Sequence, residues 1–138
     1  MENNQKIDSQ KYIEFVKQTT SPASSDVDTL VERIRELDGD GVKLTHLLTF
    51  CLGMIGELGE TVDLIKKCLL QSREMDESVK SKLKLECSDQ CWYLAQFCIA
   101  MDISFEEIMQ MNYEKLSARY PEGTFSVYRS ENRRPGDV

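Results

Sequence analysis

Two matched pairs of carboxylates, set inside otherwise apolar helical stretches, constrain this chain more than any other feature. Glu57 and Glu60 lie three apart in GMIGELGETVDLIKK, and Glu86 and Asp89 lie three apart in KLECSDQCWYL. On an α-helix, positions three apart differ by about 60° around the axis and about 4.5 Å along it, so each pair aims two acids to one side. If two such helices pack side by side, four carboxylates converge. Like charges that close either take up protons or capture a hard, oxygen-seeking divalent cation. The spacing therefore asks for two long neighbouring helices with the acids on their facing sides.

The hydrophobic periodicity supplies those helices and shorter ones beside them. Residues 8–18 carry Tyr12, Ile13, Phe15 and Val16 in a short helix, and Thr19 to Ser25 reads as a loop around Pro22. Ser25 is placed to cap a helix that repeats Val27, Leu30, Val31, Ile34 and Leu37, and the run Asp38-Gly39-Asp40-Gly41 stops it. The third helix runs from about Val42 to Gln71. Leu44, Leu47, Leu48, Cys51, Leu52, Ile55, Leu58, Val62 and Ile65 form its expected core stripe, and His46, Phe50, Gly53, Glu57, Glu60 and Leu64 form a second. A fourth helix runs from about Glu77 to Met101. Ser104-Phe105-Glu106-Glu107 fits a capping box that opens a fifth, ending before Pro121. No strand pattern and no internal repeat stand out. The reading is an all-α bundle of about five helices in a single domain over 1–138. Phe125, Val127 and Tyr128 are set to fold back, and a short polar tail starts near 131.

Composition narrows the partners. A formal net charge of −7 leaves no basic surface for a nucleic-acid polymer, although a nucleotide whose phosphates meet a bound metal stays compatible. The longest apolar run, Trp92 to Met101, is interrupted by Gln96 and too short to span a bilayer, and the opening MENNQKIDSQ lacks a signal-peptide core. The five cysteines (Cys51, Cys68, Cys87, Cys91 and Cys98) read as reduced, buried thiols of a cytoplasmic protein. A zinc site from Cys87, Cys91 and His46 is the minor alternative.

The acid pattern Glu57-x-x-Glu60 followed by Glu86-x-x-Asp89 resembles the signature of the all-α nucleoside triphosphate pyrophosphohydrolases, the MazG-like superfamily. GELGETVDLIKK is similar to that family's first metal helix, and LECSDQCWYLAQF to its second, with Tyr93 four residues past the last acid. NYEKLSARYPEGTF resembles the downstream Asn-x-x-Lys and Arg-Tyr-Pro-x-Gly segments, and the likeness covers roughly Leu44 to Arg133. One departure is Gly56, where many members carry a further Glu. The resemblance implies cleavage between the α- and β-phosphates of a (deoxy)nucleoside triphosphate, giving monophosphate and pyrophosphate. It implies Mg²⁺, with Mn²⁺ as a substitute, on Glu57, Glu60, Glu86 and Asp89, or with one of Glu57 and Glu60 instead orienting or deprotonating the water. It further implies substrate contacts from Tyr93, Asn112, Lys115 and Arg119, and a homodimer or homotetramer whose interfaces would cover outward apolar positions such as Trp92, Phe97 and Met101.

Other readings stand beside this one. A narrower dUTP/dCTP-specific or phosphoribosyl-ATP pyrophosphohydrolase has the same metal chemistry. A non-enzymatic helical interaction module, or a metal-stabilised scaffold, would use the acids for a basic partner or for a structural ion. His46 lies about three turns before Glu57 on the same face; it reads as a base contact or as a histidine satisfied by the protein itself. Lys66 and Lys67 read as a phosphate site or as the solvated cationic end of a helix.

Overall fold

The computed structural model of the chain describes residues 8–39 and 41–132. Among them are seven helices: α1 (Ser9–Thr19), α2 (Pro22–Ser25), α3 (Val27–Gly39), α4 (Leu44–Leu70), α5 (Glu77–Met101), α6 (Phe105–Arg119) and α7 (Val127–Glu131), and no strand. The chain divides into two compact units, residues 1–44 and 45–138.

In the first unit, the Asp8 carboxylate accepts from the Lys11 amide at 2.8 Å and caps α1. The expected loop at 19–25 contains the extra helix α2, because Pro22 at its first turn needs no amide partner there. Asp26, rather than Ser25, supplies the carboxylate that receives the Thr29 amide at 2.8 Å and the Thr29 hydroxyl at 2.6 Å at the start of α3. Leaving α3, the chain turns at Gly41, whose φ of +91° favours glycine, and the Leu44 amide donates back to Asp38 at 3.2 Å.

The second unit holds the two long helices, α4 and α5, which run antiparallel. Asp76 caps α5 by accepting from the Val79 amide at 2.8 Å. A left-handed Asp102 (φ +50°) closes its far end, its amide bonded to the Cys98 carbonyl. The capping box appears as expected: Ser104 Oγ accepts from the Glu107 amide at 3.2 Å while a Glu107 carboxylate oxygen accepts from the Ser104 amide at 2.8 Å. The seventh helix, α7, opens on Ser126, where the sequence pattern gave only a turn and a folded-back tail. Residues 133–138 of that tail lie outside the described residues.

Successive rungs show how α4 and α5 pack. His46 meets Gln96, with Nδ1 to Oε1 at 2.6 Å, and Phe50 meets Phe97 with ring centroids 5.1 Å apart. Gly53 lies directly against the Tyr93 ring. Further along, Gln90 donates to Thr61 Oγ1 at 3.0 Å. On α4 these positions are 46, 50, 53, 57 and 61, a 4-3-4-4 spacing that keeps one stripe turned to α5.

That stripe is the second one read from the sequence, so the expected core stripe is corrected. Leu52 (72% exposed), Ile55 (70%) and Val62 (56%) lie outside the α4–α5 contact, as do Leu48 and Leu58, and among the described residues only Leu64, Val79 and Ala100 are buried, Val79 completely. The physical reason is that α4 is apolar on nearly all sides, so periodicity alone does not say which side meets the neighbour. Trp92 and Met101 are outward as expected, whereas Phe97 turns inward onto Phe50. The buried-thiol expectation also fails: Cys51, Cys87 and Cys91 are exposed, and Cys68 and Cys98 are half-buried.

Candidate active site

The ladder puts the acids opposite one another. Glu57 is one turn beyond Gly53 on α4, and Asp89 is one turn before Tyr93 on α5, so the Gly53–Tyr93 rung sets the next rung at Glu57 against Asp89 and Glu86. There, one carboxylate oxygen each from Glu57, Glu86 and Asp89 lies within 4.8 Å of the others, and this is the one grouping of potential metal ligands among the described residues. Glu57 and Glu86 are half-buried and Asp89 is exposed, so the trio is open on one side. The Gly53–Tyr93 rung closes one end of it, and the Thr61–Gln90 hydrogen bond closes the other.

The electrostatics match a site short of positive charge. Partial burial pushes the Glu57 pKa up. The negative charges of Asp89, Glu60 and Glu86 push it further, and so does a hydrogen bond with Glu86 that only a protonated carboxyl can form. Glu60 therefore stands near enough to act on Glu57 without joining the converging trio. The nearest cations on this helix are committed elsewhere. Lys66 pairs with Asp63 at 2.6 Å, and Lys67 pairs with the other oxygen of the same carboxylate, holding the Asp63 pKa down to about 2. That arrangement answers the Lys66/Lys67 question in favour of a charged helix end. An all-oxygen donor set with surplus negative charge fits a hard divalent cation and disfavours zinc, whose usual sulfur and nitrogen ligands are not gathered here.

The other expected residues are placed as follows. Tyr93, half-buried, borders the trio, with the Trp92 ring perpendicular to it at a 5.0 Å centroid distance. His46 shares the stripe but is held by Gln96, three turns from Glu57. Asn112 lines an open groove of about 470 Å³ on α6 and the turn after it, with Met109, Tyr113, Leu116, Tyr120 and Phe125; none of the four acids lines it. Lys115 is exposed on α6, and Arg119 is half-buried at its end. No hydrogen bond or ion pair among the described residues joins Asn112 or Lys115 to the acids.

Three residues of the ladder carried no individual signal in the sequence. Thr61 and Gln90 are unremarkable polar residues until they pair across the helices. Gln96, noted only as a break in an apolar run, is the partner that a lone histidine on an apolar stripe requires.

Comparison with known proteins agrees with the geometry. The chain is similar to Gene 37 protein of Mycobacterium phage L5, with 30% identity over 89 residues, covering 62% of this chain and 75% of that protein. No solved structure matches. The model of the MazG nucleotide pyrophosphohydrolase domain matches residues 45–124, which include α4 but for its first residue, all of α5 and α6, and all four acids. The chain belongs to the MazG nucleotide pyrophosphohydrolase family.

Proposed function

We propose that this protein hydrolyses (deoxy)nucleoside triphosphates between the α- and β-phosphates, releasing nucleoside monophosphate and pyrophosphate, as a cytoplasmic enzyme of nucleotide-pool housekeeping. The observation that carries the reading is the convergence of Glu57, Glu86 and Asp89 within 4.8 Å on facing helices. Glu57, Glu60, Glu86 and Asp89 would hold Mg²⁺, or Mn²⁺ in its place. When bound, the ion supplies charge neutralisation for the polyphosphate and makes the attacking water more acidic.

The chain's own groups do the rest. Glu60 or Glu57 takes the proton from the water as its oxygen bonds to phosphorus, and the bridging P–O bond breaks so that pyrophosphate departs. Glu60 stands outside the converging trio, which favours it for this task. Lys115 meets phosphate as a point charge, with Arg119 beside it, and Asn112 hydrogen-bonds the substrate. Because Asn112 and Lys115 lie on α6, apart from the acids' own contacts, this part of the reading requires substrate to span from the α4–α5 rung to α6. Tyr93 packs on the sugar, where its bulk suits a deoxyribose. His46 braces the base end of the stripe through Gln96. The exposed apolar face of α4 supports assembly as a homodimer or homotetramer.

The test is direct. Pyrophosphate and monophosphate are measured from a panel of canonical and damaged nucleotides, with and without millimolar Mg²⁺. Release only with Mg²⁺ is expected. With dUTP, dCTP and phosphoribosyl-ATP in the panel, release from these alone would narrow the enzyme to the corresponding type, and no release from any nucleotide would overturn the proposal.

A further inference from the structure

We propose that Gly53 is a positioning residue: the absence of a side chain there seats the Tyr93 ring on the α4 backbone and fixes it one turn from the acid trio. The inference deepens the proposed function and rests on it for its catalytic readout. A methyl group added at Gly53 would lie closer than 3.0 Å to Cδ1, Cε1 and Cζ of Tyr93. Those are atoms of a rigid ring, so the clash is not relieved by bending a flexible tip. Either the ring withdraws or α4 and α5 move apart. Both changes act on the next rung, because Gly53 is one turn from Glu57 and Tyr93 one turn from Asp89.

Two other glycines of α4 make the contrast. A methyl group at Gly56 or Gly59 would meet nothing within 4 Å. All three weaken the helix in the same way, through backbone freedom in the unfolded chain. Only at Gly53 does this chain show what that weakness gains. Tyr93 also has the Trp92 ring perpendicular to it with centroids 5.0 Å apart, so its ring has a neighbour on its own helix as well as the bare backbone of α4.

The test is a double-mutant cycle on the full chain: Gly53→Ala, Tyr93→Ala and the pair together, with Gly56→Ala as the comparison. Mn²⁺ dissociation constants, by electron paramagnetic resonance with the metal alone, and melting temperatures are measured first. Then kcat and KM are measured with the best nucleotide of the panel. Gly53→Ala is expected to lower kcat/KM at least tenfold and to weaken Mn²⁺ binding. In the Tyr93→Ala background it should change either quantity less than twofold. Gly56→Ala should show no such dependence on Tyr93. If Gly53→Ala alone does not fold, recovery of folding in the double mutant supports the seat, and failure of both overturns it. Equal losses in both backgrounds, or no loss at all, also overturn it. If wild-type protein releases no pyrophosphate, the hydrolase reading fails, and the Mn²⁺ and melting cycles still decide the role of Gly53.

Discussion

If the protein assembles through the apolar face of α4, as proposed, Ile55→Lys is expected to leave it a monomer without touching the acid trio. Ile55 is two residues from Glu57, about 160° around the helix, so it faces away from α5. It is 70% exposed, with Leu52 at 72% beside it. Fully burying an isoleucine is worth about 1.5–3 kcal/mol, so covering the exposed part of Ile55 contributes about 2 kcal/mol. In a twofold-symmetric pair the same residue counts on both copies, which doubles the loss to about 4 kcal/mol. At 1.4 kcal/mol per decade, that weakens association about a thousandfold. Burial of an ammonium group at the interface would add to the effect. Sedimentation equilibrium over nanomolar to tens of micromolar concentrations reads the dissociation constant of both proteins, and far-UV circular dichroism reads their helices. A wild-type protein that sediments as a monomer throughout, or a variant whose dissociation constant lies within threefold of wild type, would refute the reasoning.

Glu60→Gln and Asp89→Asn should each abolish pyrophosphate release with unchanged helical signal, and Mg²⁺ should raise the melting temperature of wild type but not of Asp89→Asn, since a ligand bound only by the folded state stabilises it. Full activity in either variant would remove that residue from the site. His46→Ala should cost about 1–2 kcal/mol in urea denaturation, because it deletes the 2.6 Å bond and leaves the Gln96 carbonyl half-buried without its donor; an unchanged midpoint would mean that water replaces the imidazole. Asp63 titrates lower in the folded protein, near 2, than the ~3.9 of an unfolded aspartate, so its pairing with Lys66 and Lys67 stabilises above pH ~4 and is lost as pH falls through 2. The wild-type-minus-Asp63→Asn difference in melting temperature should therefore shrink between pH 5 and pH 2, and a constant difference would contradict the linkage.

Much of the fold was legible because its signals are local. The capping box of α6 follows from Ser104 and Glu107, whose side chains satisfy amides within three residues of themselves, and the expected bounds of α5, Glu77 and Met101, are those observed. The short helices α2 and α7 were not legible, since four or five residues carry too little periodicity to outweigh a proline or a run of polar residues. The orientation of α4 was ambiguous for a different reason. Its apolar residues nearly encircle it, and the stripe that meets α5 is the one containing the glycine, the histidine and the acids rather than the one richest in leucine.

The same ambiguity explains why the acids stood out while their setting did not. A carboxylate on an apolar helix is conspicuous because burying it without a partner is costly, so its presence demands an explanation from the sequence alone. The setting is pairwise: Gly53 means little until Tyr93 lies on it, and Gln96 means little until His46 needs a partner. The leucine-rich stripe carries the complementary message. A helix that turns the stripe bearing its acids toward α5 and its leucines outward presents a contiguous apolar face of the kind that marks interaction sites. The acid trio, open on one side, takes Glu57 from that same helix and Glu86 and Asp89 from α5, and the α4–α5 ladder brings them together. Ile55→Lys tests whether an assembly on the outward face of α4 adds to that packing. If the monomeric variant keeps its Mn²⁺ affinity, the ladder alone suffices to gather the acids; if it loses that affinity while remaining helical, assembly is part of what holds the site together.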